Sequence, residues 1–235
     1  MTPFTDIVIC VRATREFPVE KEFENCVTSL VENTDNFRLI LVDDASDREG
    51  ASVVDRIAAD HPTSVVIRTH RQNWFTKAHN KGLRMVRTPR AVTLNCDTIL
   101  DKGWLEELYD VWEDATPLGP IGLVGSVMSD EEPRRWAKTW NPGYVTGHCW
   151  LLSMEAIGQV SASRGMPGWY LDETKVENAH IRSDVELCWR LNGLGFQTIQ
   201  SFKSRVGHLG GRSWGHNLSL LAGITADSLR KLDDQ

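Results

Sequence analysis

Two apolar runs that end in acidic residues constrain the fold of this chain more than any other feature. Residues 91–94 form a short apolar run that stops at Asn95-Cys96-Asp97, and residues 37–42 end in the same way at Asp43-Asp44. Short apolar runs bounded by turn residues are typical of buried strands. In an open α/β sheet, ligands bind at the carboxyl ends of the strands. Carboxylates at that edge suit hard divalent cations, so the pattern predicts an enzyme for a nucleotide-linked substrate.

Composition narrows the class of protein. With 235 residues, 41% of them hydrophobic and 25% charged, the chain has the composition of a globular domain. A net charge of -6 argues against a mainly electrostatic nucleic-acid binder, although a local basic groove remains open. No apolar stretch approaches the roughly 20 residues that span a bilayer, and the first residues do not form a signal peptide. We therefore expect a cytoplasmic protein without a membrane span.

The five cysteines are scattered along the chain and odd in number, which disfavours both a disulfide framework and a cysteine metal cluster.

Strand-like and helix-like segments alternate along the first half of the chain. Strands are predicted at 7–11, 37–42, 65–68, 91–94, 121–124, 147–152 and 195–200, and helices at 20–32, 51–59, 76–86, 104–112, 154–160, 184–192 and 217–232. This alternation predicts a single α/β domain over residues 1–235, with a Rossmann-like, mostly parallel sheet flanked by helices. We divide it into a nucleotide-binding half (1–125), an acceptor and catalytic half (126–216) and a helical tail (217–235).

Tryptophan is concentrated in the second half. Indole rings can stack a sugar, an aromatic group or an unstacked base. We therefore predict an acceptor-binding wall that includes His148, although a lone histidine is more often structural. Its members are Trp136, Trp140, His148, Trp150 and Trp169.

Several short segments, in a fixed order along nearly the whole chain, form a recognisable set. They are 7–11, 38–47 (RLILVDDASD), 75–83 (FTKAHNKGL), 94–98 (LNCDT), 103–105, 121–125, 147–152 (GHCWLL), 183–190 (SDVELCWR) and 208–214 (HLGGRSW). Each segment is weak alone, but the ordered set is specific. It resembles family-two glycosyltransferases of the GT-A fold, especially the rhamnosyltransferase-like bacterial and phage branch.

The resemblance implies an inverting transfer from a nucleotide-activated sugar, assisted by Mn²⁺ or Mg²⁺. Asp43 and Asp44 match the acidic pair near the base and ribose. Asp97 matches the carboxylate that contacts the metal and the diphosphate, and His208 matches a histidine that often completes the metal site. Asp184 matches the general base.

Residues beside these motifs complete the predicted donor site. Arginine offers bidentate geometry for a diphosphate, although a solvated surface charge is the commoner role for any one cation. The added candidates are Val11, Arg12, Arg71, Lys77, Asn95 and Cys96. Ser46 is expected to cap the following helix, and His79 is expected to have no role in the site.

Three positions depart from the family pattern. Asn95 stands at the first acidic position of the metal motif, which weakens the expected metal contact. Trp74 replaces a glycine before the third helix, so the pattern does not define the local backbone there. Ser183 precedes Asp184 where the family has an acid; the spacing of Ser183 and Glu186 predicts a capping box at the start of a helix.

Alternatives remain open from the sequence alone. The donor is expected to be a UDP- or dTDP-sugar, and the acceptor a saccharide, a small molecule or a hydroxymethylated base in phage-type DNA. A sugar nucleotidyltransferase uses a similar sheet but needs a glycine-rich loop after the first strand, and residues 11–15 contain no glycine. A non-catalytic nucleotide-sugar-binding module is a further alternative, because Asn95 replaces an acid and weakens the expected metal site.

Overall fold

The computed structural model describes residues 2–128, 139–140, 145–163 and 179–209. Within these ranges six α-helices surround a nine-stranded sheet. The strands are β1 (Thr5–Val11), β2 (Phe37–Asp44), β3 (Val65–Thr69), β4 (Arg90–Asn95), β5 (Thr98–Leu100), β6 (Ile121–Met128), β7 (Thr139–Trp140), β8 (Cys149–Ser153) and β9 (Gln197–His208). The helices are α1 (Glu20–Asn33), α2 (Arg48–Asp60), α3 (Trp74–Leu83), α4 (Trp104–Ala115), α5 (Met154–Ser163) and α6 (Ala179–Gly193).

The sheet has the order β3-β2-β1-β4-β8-β6-β9-β5, with β7 paired to β9. Strands β1 to β4 are parallel, as the alternation of elements predicts. Beyond β4 the sheet is mixed, because β8 runs antiparallel to both β4 and β6. The α/β class is thus confirmed, while the parallel character is confined largely to the first half.

Alternating residues of the central strands divide the core into two layers. Ile7, Ile9 and Val11 of β1 pack with α1, α2 and α4, whereas Val8 and Cys10 pack with α3, α5 and α6. Because successive side chains of a strand point to opposite faces of the sheet, helices pack on both faces and the central strands are fully buried. In the described ranges, no helix combines the length and apolar character needed to cross a bilayer.

Two capping predictions are wrong. The side chain of Asp47, not Ser46, caps α2 by accepting the backbone N–H groups of Glu49 and Gly50. Helix α6 begins at Ala179, so Ser183 lies inside the helix rather than at its N-cap. Glu186 instead forms an i,i+4 ion pair with Arg190.

Candidate functional site

The carboxyl ends of β1, β2 and β4 form one edge of the sheet, and the predicted donor residues lie along it. Val11 is aligned with Asp43, and Cys10 is aligned with both Val42 and Asn95. The register therefore brings the ends of the three strands level with one another. This edge is where an α/β sheet of this kind binds ligands.

A carboxylate and an imidazole meet beside the end of β4. Pairing of β5 with β9 sets Thr98 opposite His208, and the N–H of Leu209 donates to the carbonyl oxygen of Asp97. As a result, Nε2 of His208 lies 3.3 Å from Oδ1 of Asp97 and 3.3 Å from Nδ2 of Asn95. Carboxylate oxygen and imidazole nitrogen are both ligands of Mn²⁺, so the donor set fits a divalent ion.

Few other described side chains near Asp97 and His208 are suited to bind a metal. Within the part of the chain that the structure describes, no group of three or more His, Cys, Asp or Glu side chains is arranged to hold a metal. Cys96 is buried, and burial, with the nearby charge of Asp97, raises the pKa of its thiol well above the usual value. A protonated thiol is a poor metal ligand, so Asp97 and His208 are the two candidate ligands.

His148 lies behind the pair and is buried. Its carbonyl oxygen accepts the N–H of Asn95, its Nε2 is 3.1 Å from the hydroxyl of Ser126, and its Nδ1 is 3.0 Å from that of Thr146. Burial, with a smaller contribution from the charge of His208, lowers the pKa of His148 to about 3. The imidazole ring is therefore neutral. The hydrogen bond from Asn95 to the His148 carbonyl oxygen holds the end of β4 in place.

Asp184 reaches the same edge from α6. A methyl group placed on Gly147 would lie 3.3 Å from the β-carbon of Asp184 and 3.3 Å from the Trp150 ring. The missing side chain of Gly147 thus lets α6 approach the start of β8 closely. Since β8 is antiparallel to β4, its start lies at the carboxyl end of β4. The half-buried carboxylate accepts the N–H of Val185 at 2.9 Å.

The two acids at the end of β2 are buried and engaged with the chain itself. Asp43 accepts the Nε–H of Arg68 at 2.9 Å and the N–H of Ser46 at 3.0 Å. Asp44 is fully buried and accepts hydrogen bonds from four donors: the hydroxyl of Thr69, the backbone N–H and side-chain amide of Asn73, and the N–H of Trp74. Contact of either acid with a nucleotide remains a prediction.

Arg12 directly follows the end of β1. Its guanidinium lies 5.3 Å from the centre of the Phe17 ring, and its buried Nε has no hydrogen-bond partner among the described residues. A buried donor without an acceptor is costly, and an anionic ligand would satisfy it.

The other predicted donor-site residues differ in exposure. Val11 is fully buried and offers only its backbone, Arg71 is exposed, and Lys77 is half-buried in the first turn of α3.

Comparison with known proteins agrees with this geometry. The family model for glycosyl transferase family 2 matches residues 6–162. The chain belongs to this family. No curated protein sequence matches the chain.

Solved structures resemble this family member at low sequence identity. The mannosyltransferase PcManGT from Pyrobaculum calidifontis, in complex with GDP-Man and Mn²⁺, has a TM-score of 0.69 and 16% identity, over 97% of this chain and 64% of its own. GalNAc-T7 with UDP, GalNAc and Mn²⁺ has a TM-score of 0.69 and 15% identity, over 90% of this chain and 44% of its own. The chain therefore spans less than two thirds of either structure. The likeness confirms the GT-A fold.

The predicted acceptor wall is only partly described. Trp136 and Trp169 lie outside the described residues, and so does the side chain of Trp140. Trp150 is fully buried in the core, and His148 has both ring nitrogens engaged, so neither presents a surface to an acceptor.

Two structural features of this family member were not foreseen from its sequence. Trp74 has a left-handed backbone with φ of 63°. His79 is buried with its ring centre 4.1 Å from that of Phe75, and burial lowers its pKa to about 4. The match of Trp74 to a family glycine was the available signal for the first, because glycine readily adopts positive φ.

Proposed function

We propose that the protein transfers a sugar from a nucleoside-diphosphate sugar to a hydroxyl acceptor, with inversion at the anomeric carbon and with the help of a divalent metal. The observation that carries the proposal is the pairing of Asp97 with His208 at the carboxyl end of β4. Family membership supports glycosyl transfer, and the motif order supports the rhamnosyltransferase-like branch within the family.

Asp97 and His208 would hold Mn²⁺ or Mg²⁺, with the remaining ligands coming from the diphosphate and water. Such an ion keeps few protein ligands when a phosphate is present, which suits a site with one carboxylate and one imidazole. When bound, the metal supplies charge neutralisation on the departing nucleoside diphosphate. The Mn²⁺ in both solved relatives supports a metal of this kind.

Arg12 would bind the diphosphate through the Nε–H that lacks a partner within the described residues. Its planar guanidinium suits bidentate contact with phosphate oxygens. Arg71 and Lys77 would add positive charge from the start of α3. We propose a UDP- or dTDP-sugar as the donor; the two solved relatives carry different nucleotides, GDP-Man and UDP.

Asp184 would act as the general base that accepts the proton of the attacking hydroxyl. The closeness of Asp184 to Gly147, just before β8, supports an approach of the acceptor from the β8 side of the proposed metal site. A correctly positioned base contributes roughly 10²–10⁴-fold to rate. The acceptor itself is proposed as a saccharide, a small molecule or a modified DNA base, bound by the second half of the chain.

The first experiment is a thermal-shift screen of nucleotide sugars with Mn²⁺, since a ligand that binds only the folded state raises its melting temperature. The Asp184→Asn variant should then keep the donor shift and lose transfer by roughly 10²–10⁴-fold. The Glu186→Gln variant, two residues along α6, is the matched control and should retain turnover. Near-normal turnover of Asp184→Asn would remove Asp184 as the base.

Asn95 favours a second candidate, a nucleotide-sugar-binding module without catalysis. An amide in place of a carboxylate reduces the negative charge available to a metal. A module would bind the donor with Mn²⁺ but release no nucleoside diphosphate with any acceptor, whereas the enzyme releases it in proportion to the acceptor consumed.

A further inference from the structure

Trp74, the first residue of α3, is held in a conformation that its side chain disfavours. Its φ of 63° lies in the left-handed region, which costs a residue with a β-carbon roughly 1–2 kcal/mol. Trp74 is nevertheless 41% exposed, so core packing alone does not account for a tryptophan at this position. A strained residue with an exposed aromatic ring at a ligand-binding edge warrants a functional explanation.

The Asp44 carboxylate fixes this turn. One oxygen accepts the side-chain amide of Asn73 at 2.8 Å, and the other accepts the N–H of Trp74 at 3.0 Å. The backbone N–H of Asn73 lies within 2.9 Å of both oxygens. Charge-assisted hydrogen bonds of this kind are among the stronger ones in proteins, and they hold the backbone of Asn73 and Trp74 at the end of β2.

The order of the strands sets which part of the donor reaches Trp74. From the acceptor side, the edge presents Asp184 beside β8, Asp97 after β4, Arg12 after β1 and the Asp44 turn after β2. Adjacent strands are about 4.8 Å apart, so the end of β2 lies roughly 10 Å from the end of β4. The reacting sugar must face Asp184, and the pyrophosphate must reach the metal. The nucleoside therefore extends the other way, across β1 towards β2.

We propose that the Trp74 indole stacks on the nucleobase of the donor and thereby contributes to nucleotide selection, with Asp44 as the residue that positions it. This inference rests on the proposed function, because it takes the orientation of the donor from Asp97 and Asp184. An indole face attracts the π-face of any base, and stacking strength then ranks the bases. Asp44 acts through the turn and need not touch the nucleotide.

Isothermal titration calorimetry with Mn²⁺ tests the proposal, using UDP, dTDP and GDP in parallel with inorganic pyrophosphate. Trp74→Gly removes the ring while the backbone keeps its positive φ without strain, so the variant should fold. It should bind the preferred nucleoside diphosphate about tenfold more weakly, since loss of one base–aromatic stack has an effect of this order. Its affinity for pyrophosphate should not change, because pyrophosphate has no base.

Two further variants make the test specific. Trp74→Phe keeps an aromatic face and should retain more of the nucleoside-diphosphate affinity than Trp74→Gly. Trp189→Ala removes another exposed indole, on α6, and should leave every affinity unchanged. Equal losses for pyrophosphate and nucleoside diphosphates in Trp74→Gly, or no loss for either, would overturn the stacking proposal.

The same titrations separate failure of the inference from failure of the proposed function. If wild-type protein binds nucleoside diphosphate in a manner that needs Mn²⁺ and Asp97, but Trp74→Gly binds it equally well, only the stacking is refuted. If the wild type binds neither pyrophosphate nor any nucleoside diphosphate with Mn²⁺, the proposed function is refuted, and the stacking with it.

Discussion

The acidic ends of β2 and β4 look alike in sequence and differ in the structure. At the end of β2, Asp44 is fully buried and surrounded by four donors from the chain itself. At the end of β4, Asp97 is close to His208, whose side chain remains 13% exposed. The first carboxylate holds a turn in place, and the second is paired with a potential metal ligand.

This difference shows what an acid at a strand end can do. A buried carboxylate must be compensated, and the compensation comes either from donors in the chain or from a cation. The β2 end uses N–H and O–H donors, whereas the β4 end offers a carboxylate, an amide and an imidazole that suit a metal. Two buried histidines are neutral: His148, whose carbonyl oxygen accepts the N–H of Asn95 at the end of β4, and His79 in α3.

The largest expected effect is at Asp97. Even outer-shell partners of a metal typically contribute roughly 10–100-fold to its affinity, so loss of a direct ligand in Asp97→Asn should weaken Mn²⁺-dependent nucleotide binding by more than about 100-fold. Calorimetry with and without Mn²⁺ measures this loss. The folded state should persist, which circular dichroism would check. Unchanged Mn²⁺-dependent affinity would refute the metal role of Asp97.

The next effect is on stability at Asp44. Asp44→Ala removes the acceptor for four donors in a buried turn, and leaving such donors unsatisfied should cost about 3 kcal/mol of unfolding free energy. Urea denaturation measures the cost. The matched Asp43→Ala variant should lose less, because the Arg68 side chain that Asp43 pairs with is 42% exposed and can be hydrated.

The measurements on Asp44→Ala test whether the ends of β2 and β4 differ in function. If Asp44→Ala were as stable as wild type but lost nucleotide binding, the β2 acid would be a ligand-binding residue. The two strand ends would then be alike in function as well as in sequence.

The acidic ends of β2 and β4 could be predicted from the sequence, because an apolar run followed directly by acidic residues is a local signal. The partners of each acid, in contrast, come from distant parts of the chain. Asp44 is engaged by Thr69, Asn73 and Trp74, which lie 25 to 30 residues away in the sequence. Asp97 meets His208 only because β9 continues to His208 and pairs with β5, a short strand that periodicity does not detect. Similarly, α6 starts five residues before the predicted point, which makes Asp184 an interior residue of its helix.

A smaller effect concerns acid stability and the buried His79 of α3. Burial keeps His79 neutral in the folded protein with a pKa of about 4, whereas an unfolded histidine has a pKa near 6.5. This depressed pKa means that His79 favours the folded state fully above about pH 6.5 and loses that contribution as the pH falls towards 4. The loss should reach about 2 kcal/mol at pH 5.

His79→Leu tests this directly. Nε2 of His79 has no hydrogen-bond partner among the described residues, so an apolar replacement should be tolerated at neutral pH. Urea denaturation at about pH 7 and about pH 5 should show a loss on acidification that is about 2 kcal/mol smaller than in wild type. His148 still titrates in this variant, so part of the acid sensitivity remains. An identical loss in both proteins would mean that His79 is already charged in the folded state.

The smallest effect separates backbone strain from side-chain contact at the turn that Asp44 holds. Trp74→Gly and Trp74→Ala both remove the indole, but only alanine keeps a β-carbon at a φ of 63°. The glycine variant gains from relief of strain and loses through greater freedom of its unfolded chain, and the net difference should favour glycine by about 1 kcal/mol. Parallel urea denaturation of the two variants measures it. Equal stabilities would mean that the turn relaxes when the indole is removed, and that Asp44 does not impose the left-handed backbone.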